Sequence, residues 1–224
     1  MSFVTLILFL IFAVLVIIGI IEIQQGQRRV PVQYAKRVVG RKMYGGQATH
    51  IPMKVNQAGV IPVIFAMSFL QFPLTITYFM DPASGVAQWI EKWLSPMGSP
   101  GVWVYAAFNV VLIIFFTYFY TSVTFNPVEV AHNMKANGGF IPGIRPGKAT
   151  EEYLNKVMSR LTIVGAVFLA IIATMPTILS ILAPALSGIQ FGGTSLLIAV
   201  GVALDSVRQL ENQMLMRNYQ GFLK

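Results

Sequence analysis

QQGQRRVPVQYAKRVVGRKMYGGQATHIPMKVNQ, residues 24–57, decides how the rest of the chain is read. It holds 7 of the 16 Lys and Arg residues, yet it lies between two uncharged runs, FVTLILFLIFAVLVIIGI at 3–20 and AGVIPVIFAMSFLQFPLTITYFM at 58–80. A basic segment between stretches of bilayer length marks the cytoplasmic side of a membrane. It also offers a charged surface to a large soluble partner. Outward from it, charge is scarce. The chain is 55% hydrophobic and 11% charged with a mean hydropathy of +0.68, against about 25% charge in a soluble domain. The sequence has no Cys, which excludes disulfides and thiolate metal sites. The net charge of +8 matters less than its placement.

A spanning helix needs about 20 mostly apolar residues. Phe3–Ile21, Ala58–Met80, Val102–Val123 and Leu161–Leu182 meet that length. Gly192–Leu204 is shorter and is followed by Asp205 and Arg208, so its end must project into water or be shielded. The expectation is an all-α membrane protein with five transmembrane helices, at about 3–23, 58–80, 102–123, 161–182 and 192–213. The first run is too long, and too poor in N-terminal charge, for a signal peptide. Segments 22–57, 124–160 and 205–224 carry 15 of the 16 Lys and Arg residues, and 81–101 and 183–191 carry only Lys92. The N-terminus is therefore expected outside, the C-terminus in the cytoplasm, with cytoplasmic loops at 24–57 and 124–160 and a tail at 214–224.

The two basic loops have expected shapes. Arg29–Ala35 and Ala48–Val55 each contain a proline, Pro31 or Pro52, and read as extended, while Gly40, Gly45 and Gly46 supply turns. The result is a hairpin-like protrusion. In the second loop Asn126, Pro127 and Glu129 spell a helix start with a capping box. GGFIPGIRPGK at 138–148 must be a shaped turn, and a helix starting near Thr150 runs on into the fourth span. Glu152 and Lys156 on it are spaced to pair. Pro62 and Pro73 in the second span, and Pro176 in the fourth, are expected to kink their helices or free carbonyls.

Catalytic chemistry finds no foothold. Glu129 and His132 form one E-x-x-H, but a di-metal site needs two such motifs and more carboxylates, and the chain has 2 histidines. His50 sits in the basic loop as a surface residue. Gly143–Lys148 is one residue short of a phosphate loop, with Ala149 where the magnesium-binding hydroxyl belongs. Apart from Asp205 at an inner end, the spans lack the mid-membrane ionisable groups of ion-coupled transporters. Neither an enzyme, nor a metal site, nor a cofactor is expected.

Four stretches carry a specific resemblance: GQRRVPVQYAKR at 26–37, KVNQAGVIPVIFA at 54–66, FNPVEVAHNMKANGGFIPGIRPGKATEEYL at 125–154, and FGGTSLLIAVGVALD at 191–205. Together they closely resemble the carboxy-terminal half of the bacterial SecY family, pore subunits of the general protein-secretion channel. The resemblance is collinear over essentially the whole chain. It implies spans six to ten of a ten-helix channel whose two five-span halves open like a clamshell. It also implies that this chain needs an amino-terminal half, which would supply the plug and the opposing gate helix, so that it is one part of a split or truncated protein.

The resemblance assigns residues as well. Loops 24–57 and 124–160 correspond to the docking sites of the SecA motor ATPase or a translating ribosome. Arg145 matches an arginine on which motor-driven transport depends, and Arg28, Arg29, Lys36, Arg37, Arg41 and Lys42 form the accompanying basic patch. Ile64 and Ile198 match members of the apolar pore ring, a constriction that disfavours water and ions. The second and third spans correspond to lateral-gate helices, with Pro62, Ser68 and Gln71 as candidate lining residues. The implied partners are SecE, SecG, signal peptides, unfolded preproteins and lipid, and the implied site is the bacterial plasma membrane. Two other readings stay open on residues alone: half of a secondary transporter, or a non-conducting ribosome-binding insertase or assembly subunit.

Overall fold

Apolar length sets the long elements, and the computed structural model describes residues 3–34, 37–39, 42–44, 48–95, 101–182 and 192–220. A helix stands on each of the five expected spans: α1 (Phe3–Gln25), α2 (Ile61–Thr77), α4 (Gly101–Thr124), α6 (Lys148–Leu182) and α7 (Gly193–Gln220). α5 (Pro127–Ala136) begins at the helix start that Asn126 and Pro127 mark in the sequence, whereas α3 (Gly85–Leu94) was not expected. Among the described residues, two helical stretches, Gly101–Ala136 and Lys148–Leu179, are long and apolar enough to cross a membrane, while Phe9–Gln25 and Ile61–Thr77 are shorter apolar helices.

The strands are β1 (Gln27–Tyr34), β2 (Arg37–Val39), β3 (Lys42–Tyr44), β4 (Ala48–Lys54) and β5 (Gly139–Phe140). β1 and β4 pair antiparallel from Gln27↔Lys54 to Gln33↔Ala48, and β2 pairs β3 as a short antiparallel ribbon between them. The hairpin expectation holds for these strands; the turn glycines Gly40, Gly45 and Gly46 lie outside the described residues. β5 comes from the second basic loop and pairs with β1 at Gln33↔Phe140 and Tyr34↔Gly139. The two loops are therefore one sheet, in the order β4-β1-β5.

Among the described residues, two separate apolar cores hold the fold together. One gathers Val16 and Ile20 of α1, Val63 and Ala66 of α2, Ile113 of α4, Leu169, Ala170, Ile172 and Ala173 of α6, and Leu197 of α7. The other lies under the sheet: Val30, Val32, Met53, Met134, Ile141, Leu154, Val157 and Met158. Among the described residues α6 is the only element in both. Its 35 residues extend about 52 Å at 1.5 Å per residue, well beyond a hydrocarbon core about 30 Å thick. Its first turns thus stand clear of the apolar bundle and carry the sheet.

Buried threonine hydroxyls inside the bundle are settled locally, whereas the buried Oδ1 of Asn109 on α4 has no partner. Thr117, Thr162 and Thr174 each donate a hydroxyl to the carbonyl four residues back, at 2.6, 2.9 and 2.7 Å. Pro176 lacks the N–H that would bond the Ile172 carbonyl, and Gly193 packs directly against that carbonyl, so a side chain there would collide with it. Two expectations change. Pro62 is not a kink within a span, because α2 begins at Ile61 and places it in the first turn, where no N–H is required. Among the described residues Glu152 and Lys156 form no ion pair, and both are exposed; such a helix pair stabilises by only about 0.2–0.5 kcal/mol and loses easily to side-chain freedom.

Candidate docking platform and the helix face behind it

β1 alternates around its sheet. Val30 and Val32 are buried, whereas Arg29, Pro31 and Gln33 are exposed on the opposite face. Opposite them on β4 stand Pro52, His50 and Ala48. Arg28 is also exposed, near the start of β1. Arg37 and Lys42 stand on β2 and β3, where Arg37 pairs with Tyr44 and Lys42 with Val39 through the backbone. Lys36 and Arg41 lie outside the described residues.

The second loop reaches this sheet by a fixed route. Asn126 caps α5, its Oδ1 accepting from the amides of Val128 at 3.2 Å and Glu129 at 3.4 Å. After β5 the chain turns at Gly143 (φ 81) and Gly147 (φ 110), conformations that favour glycine. The Ile144 amide donates to the Ile141 carbonyl at 3.0 Å. Arg145 sits between the two glycines with its side chain exposed. Its carbonyl accepts a 3.0 Å bond from the hydroxyl of Thr150, a residue only 2% exposed. The backbone under Arg145 is thus tied to the first turn of α6, while the guanidinium stays free in water. Sequence reasoning located Arg145 but missed Thr150, whose only signal was a hydroxyl five residues downstream in a helix start.

The platform joins α2 through residues 55–60, and that turn is clamped on three sides. The Val55 amide donates to the Gly26 carbonyl at 2.9 Å. A Cβ added at Gly165 of α6 would come within 2.7 Å of the Val55 carbonyl, so α6 presses directly on this turn. Asn56 Nδ2 donates to the Gly59 carbonyl at 3.2 Å, and Gly59 has φ 65. Asn56 Oδ1 is buried without a partner. A cavity of about 270 Å³ adjoins it, bordered by Gln24, Lys54, Asp205 and Arg208.

α2 then presents distinct faces. Pro62, Val63, Ala66 and Leu70 are buried. Ile64, Ser68 and Gln71 fall together on an exposed face, Ile64 being 46% exposed. Ser68 donates to the Ile64 carbonyl at 2.8 Å, within its own helix, not to a neighbour. Pro62 is fully buried, so it shapes the helix start and lines no open face. Beside this face, Phe65 and Phe69 pack on Phe116 of α4 with ring centroids at 5.8 and 6.4 Å. Ile198 on α7 is 37% exposed. The start of α7 is joined to α2 by the Thr194 hydroxyl on Met67 Sδ at 3.1 Å. The structure therefore places Arg28 and Arg29 on β1, and Arg145 in the turn that follows β5, the strand paired with the other end of β1. Ile64 and Ile198 it leaves on exposed faces of two linked helices.

Comparison with known proteins gives this arrangement a context. The SecY family model matches residues 2–207. The chain is 51% identical over 217 residues to the protein translocase subunit SecY of Mycobacterium tuberculosis (strain CDC 1551 / Oshkosh), covering 95% of this chain and 49% of that protein. It is 50% identical over 222 residues to the protein translocase subunit SecY of Halalkalibacterium halodurans, covering 99% of this chain and 51% of that protein. The chain thus spans about half the length of the relatives it matches. Among solved structures it resembles a protein-conducting channel, with a TM-score of 0.58, 19% identity, and coverage of 92% of this chain and 49% of that one. It also resembles a SecY channel described as held closed by its plug domain, with a TM-score of 0.54 and 19% identity. At that identity the likeness is one of fold.

Proposed function

Since this chain belongs to the SecY family, we propose that it is the carboxy-terminal half of a translocon pore subunit, conducting unfolded polypeptides across the bacterial plasma membrane and releasing apolar segments sideways into lipid. Its five long helices form one half of a ten-helix clamshell, with the N-terminus outside and the C-terminus in the cytoplasm. An amino-terminal half completes the pore, and SecE and SecG bind around it. A SecA motor or a ribosome supplies force at the cytoplasmic loops. The chain itself carries out no catalysis.

One observation carries this reading: the two basic loops form a single sheet, β4-β1-β5, joined within six residues to the helix that bears Ile64. A partner bound to the platform acts on β4, and β4 leads through the clamped turn to α2. Arg28, Arg29 and Arg145 supply a positive field that steers an acidic motor surface or ribosomal RNA phosphate. Ile64 and Ile198 contribute apolar side chains to the constriction, which a passing chain displaces and water does not wet.

The test is to assemble this chain with an amino-terminal half in vesicles and replace Arg145 with Glu. Motor-driven import of a preprotein is expected to fall by at least about tenfold, the effect of losing about 1.4 kcal/mol of docking or coupling energy, while the two halves still copurify. Unchanged import in that assembly overturns the role given to Arg145.

A further inference from the structure

Helix α3 has two faces of opposite character and lies at the end of the bundle remote from the platform. α2 leaves the platform turn at Ile61 and ends at Thr77, α3 follows at Gly85, and α4 returns from Gly101 to Thr124, just before α5 of the platform. Val86, Trp89, Ile90 and Trp93 recur at helical spacing on one side of α3, and Gln88, Glu91 and Lys92 on the other. Val86 and Trp89 are 58% and 59% exposed, while Ala87 is buried against the bundle. The polar side borders a cavity of about 630 Å³, across which stand Gln71, Thr77 and Tyr78.

The tryptophans add an independent signal. The chain has 3, Trp89, Trp93 and Trp103. All belong to α3 or to the first turn of α4, and Trp103 is 62% exposed. Lys92 Nζ stands 6.0 Å from the Trp93 ring centroid. Indole rings prefer the boundary between headgroups and acyl chains, where an apolar ring and a polar N–H are both accommodated. A lysine beside them can extend its ammonium to the aqueous side. The exposed apolar face of α3 is also continuous in sequence with α2 and α4, whose outer faces expose Phe69, Phe72, Trp103 and Phe108.

We propose that α3 is a membrane-interface helix: its Val86–Trp89–Trp93 face lies in the headgroup boundary of the leaflet opposite the basic platform, and its Gln88–Glu91–Lys92 face borders the polar cavity against α2. α3 then acts as a rim, keeping acyl chains away from polar groups of α2 at that end. The inference rests on the membrane reading of α2 and α4 and not on transport.

The experiment therefore reads depth. A Trp89-only variant, W93F with W103F, is reconstituted as the full chain in phosphatidylethanolamine and phosphatidylglycerol vesicles doped with brominated phosphatidylcholine. The expected result is a blue shift of Trp89 emission relative to indole in water and protection from aqueous iodide. Bromine near the glycerol is expected to quench more than bromine near the chain ends. Because the sequence has no Cys, V86C carrying an environment-sensitive dye gives a second reporter that leaves every tryptophan in place. Aqueous emission with full iodide quenching of both reporters overturns the proposal. Stronger quenching by deep bromine overturns it too, as does protection from both iodide and bromolipid, which would assign the face to a neighbouring protein.

Discussion

At the scale of single residues, Arg145 is positioned by a group that no motif announces. Thr150 is buried, and its hydroxyl holds the Arg145 carbonyl. Thr150→Val keeps the shape but removes that bond, a net loss of about 1 kcal/mol. The expected outcome is faster amide hydrogen exchange over residues 144–150, together with reduced motor-driven import and unimpaired pairing with an amino-terminal half. Unchanged exchange would show that the turn is held by Gly143 and Gly147 alone. Arg145 stands out only through the resemblance carried by GIRPG, since by itself an arginine in that tract reads as an exposed turn charge. The sequence hid Thr150 and Gly165 because a threonine in a helix start and a glycine in an apolar helix look ordinary until their distant neighbours are known.

Among the elements, those with strong periodicity or long apolar runs were legible. α4 departs from its expected bounds by one residue at each end, and α6 runs unbroken from loop to span. β1 and β4 were anticipated from their extended composition despite Pro31 and Pro52. β5 was not, because two residues carry no pattern of their own and are strand only by pairing with Tyr34 and Gln33. α3 was not legible for a different reason: its ten residues, two of them tryptophan, are too few for a span. The sheet brings a further expectation. Arg28→Glu with Arg29→Glu reverses two exposed charges outside the core beneath β1, so folding should hold while association with an acidic partner slows. The loss of association rate should be largest at low salt and shrink as ionic strength approaches about 1 M, where the Debye length falls to about 3 Å. A loss independent of salt would argue for a direct packing role instead.

For the whole molecule, the decisive property is that, among the described residues, the helix bundle and the β4-β1-β5 sheet have separate cores. Polar replacement at the exposed positions of α2 and α7 should therefore spare the platform. In an assembled channel, Ile64→Asn with Ile198→Asn is expected to raise ion conductance of the resting state, measured as anion flux from vesicles, while partner binding at the platform persists. A tight seal in the double variant would remove both isoleucines from the constriction. The face proposed for the constriction was only partly legible from sequence, since Ile64 and Ile198 look like any lipid-facing side chains. Their exposure on linked helices appears only once the chain has folded.

The shared helix α6 has one more consequence, which concerns angle. Leu154, Val157 and Met158 belong to one core, Leu169, Ala170, Ile172 and Ala173 to the other, and Gly165 touches Val55 between them. A continuous helix fixes the azimuth of the platform about the bundle, much as a keyed shaft fixes two wheels. One alanine inserted between Met158 and Gly165 would turn the sheet side of α6 by about 100° and lift it by about 1.5 Å. The expected outcome is loss of the platform fold with the bundle retained, read as protease cleavage within residues 27–54 and not within α4. An insertion that left the sheet protected would show that the platform is aligned by its own connections and that α6 is free to rotate beneath it.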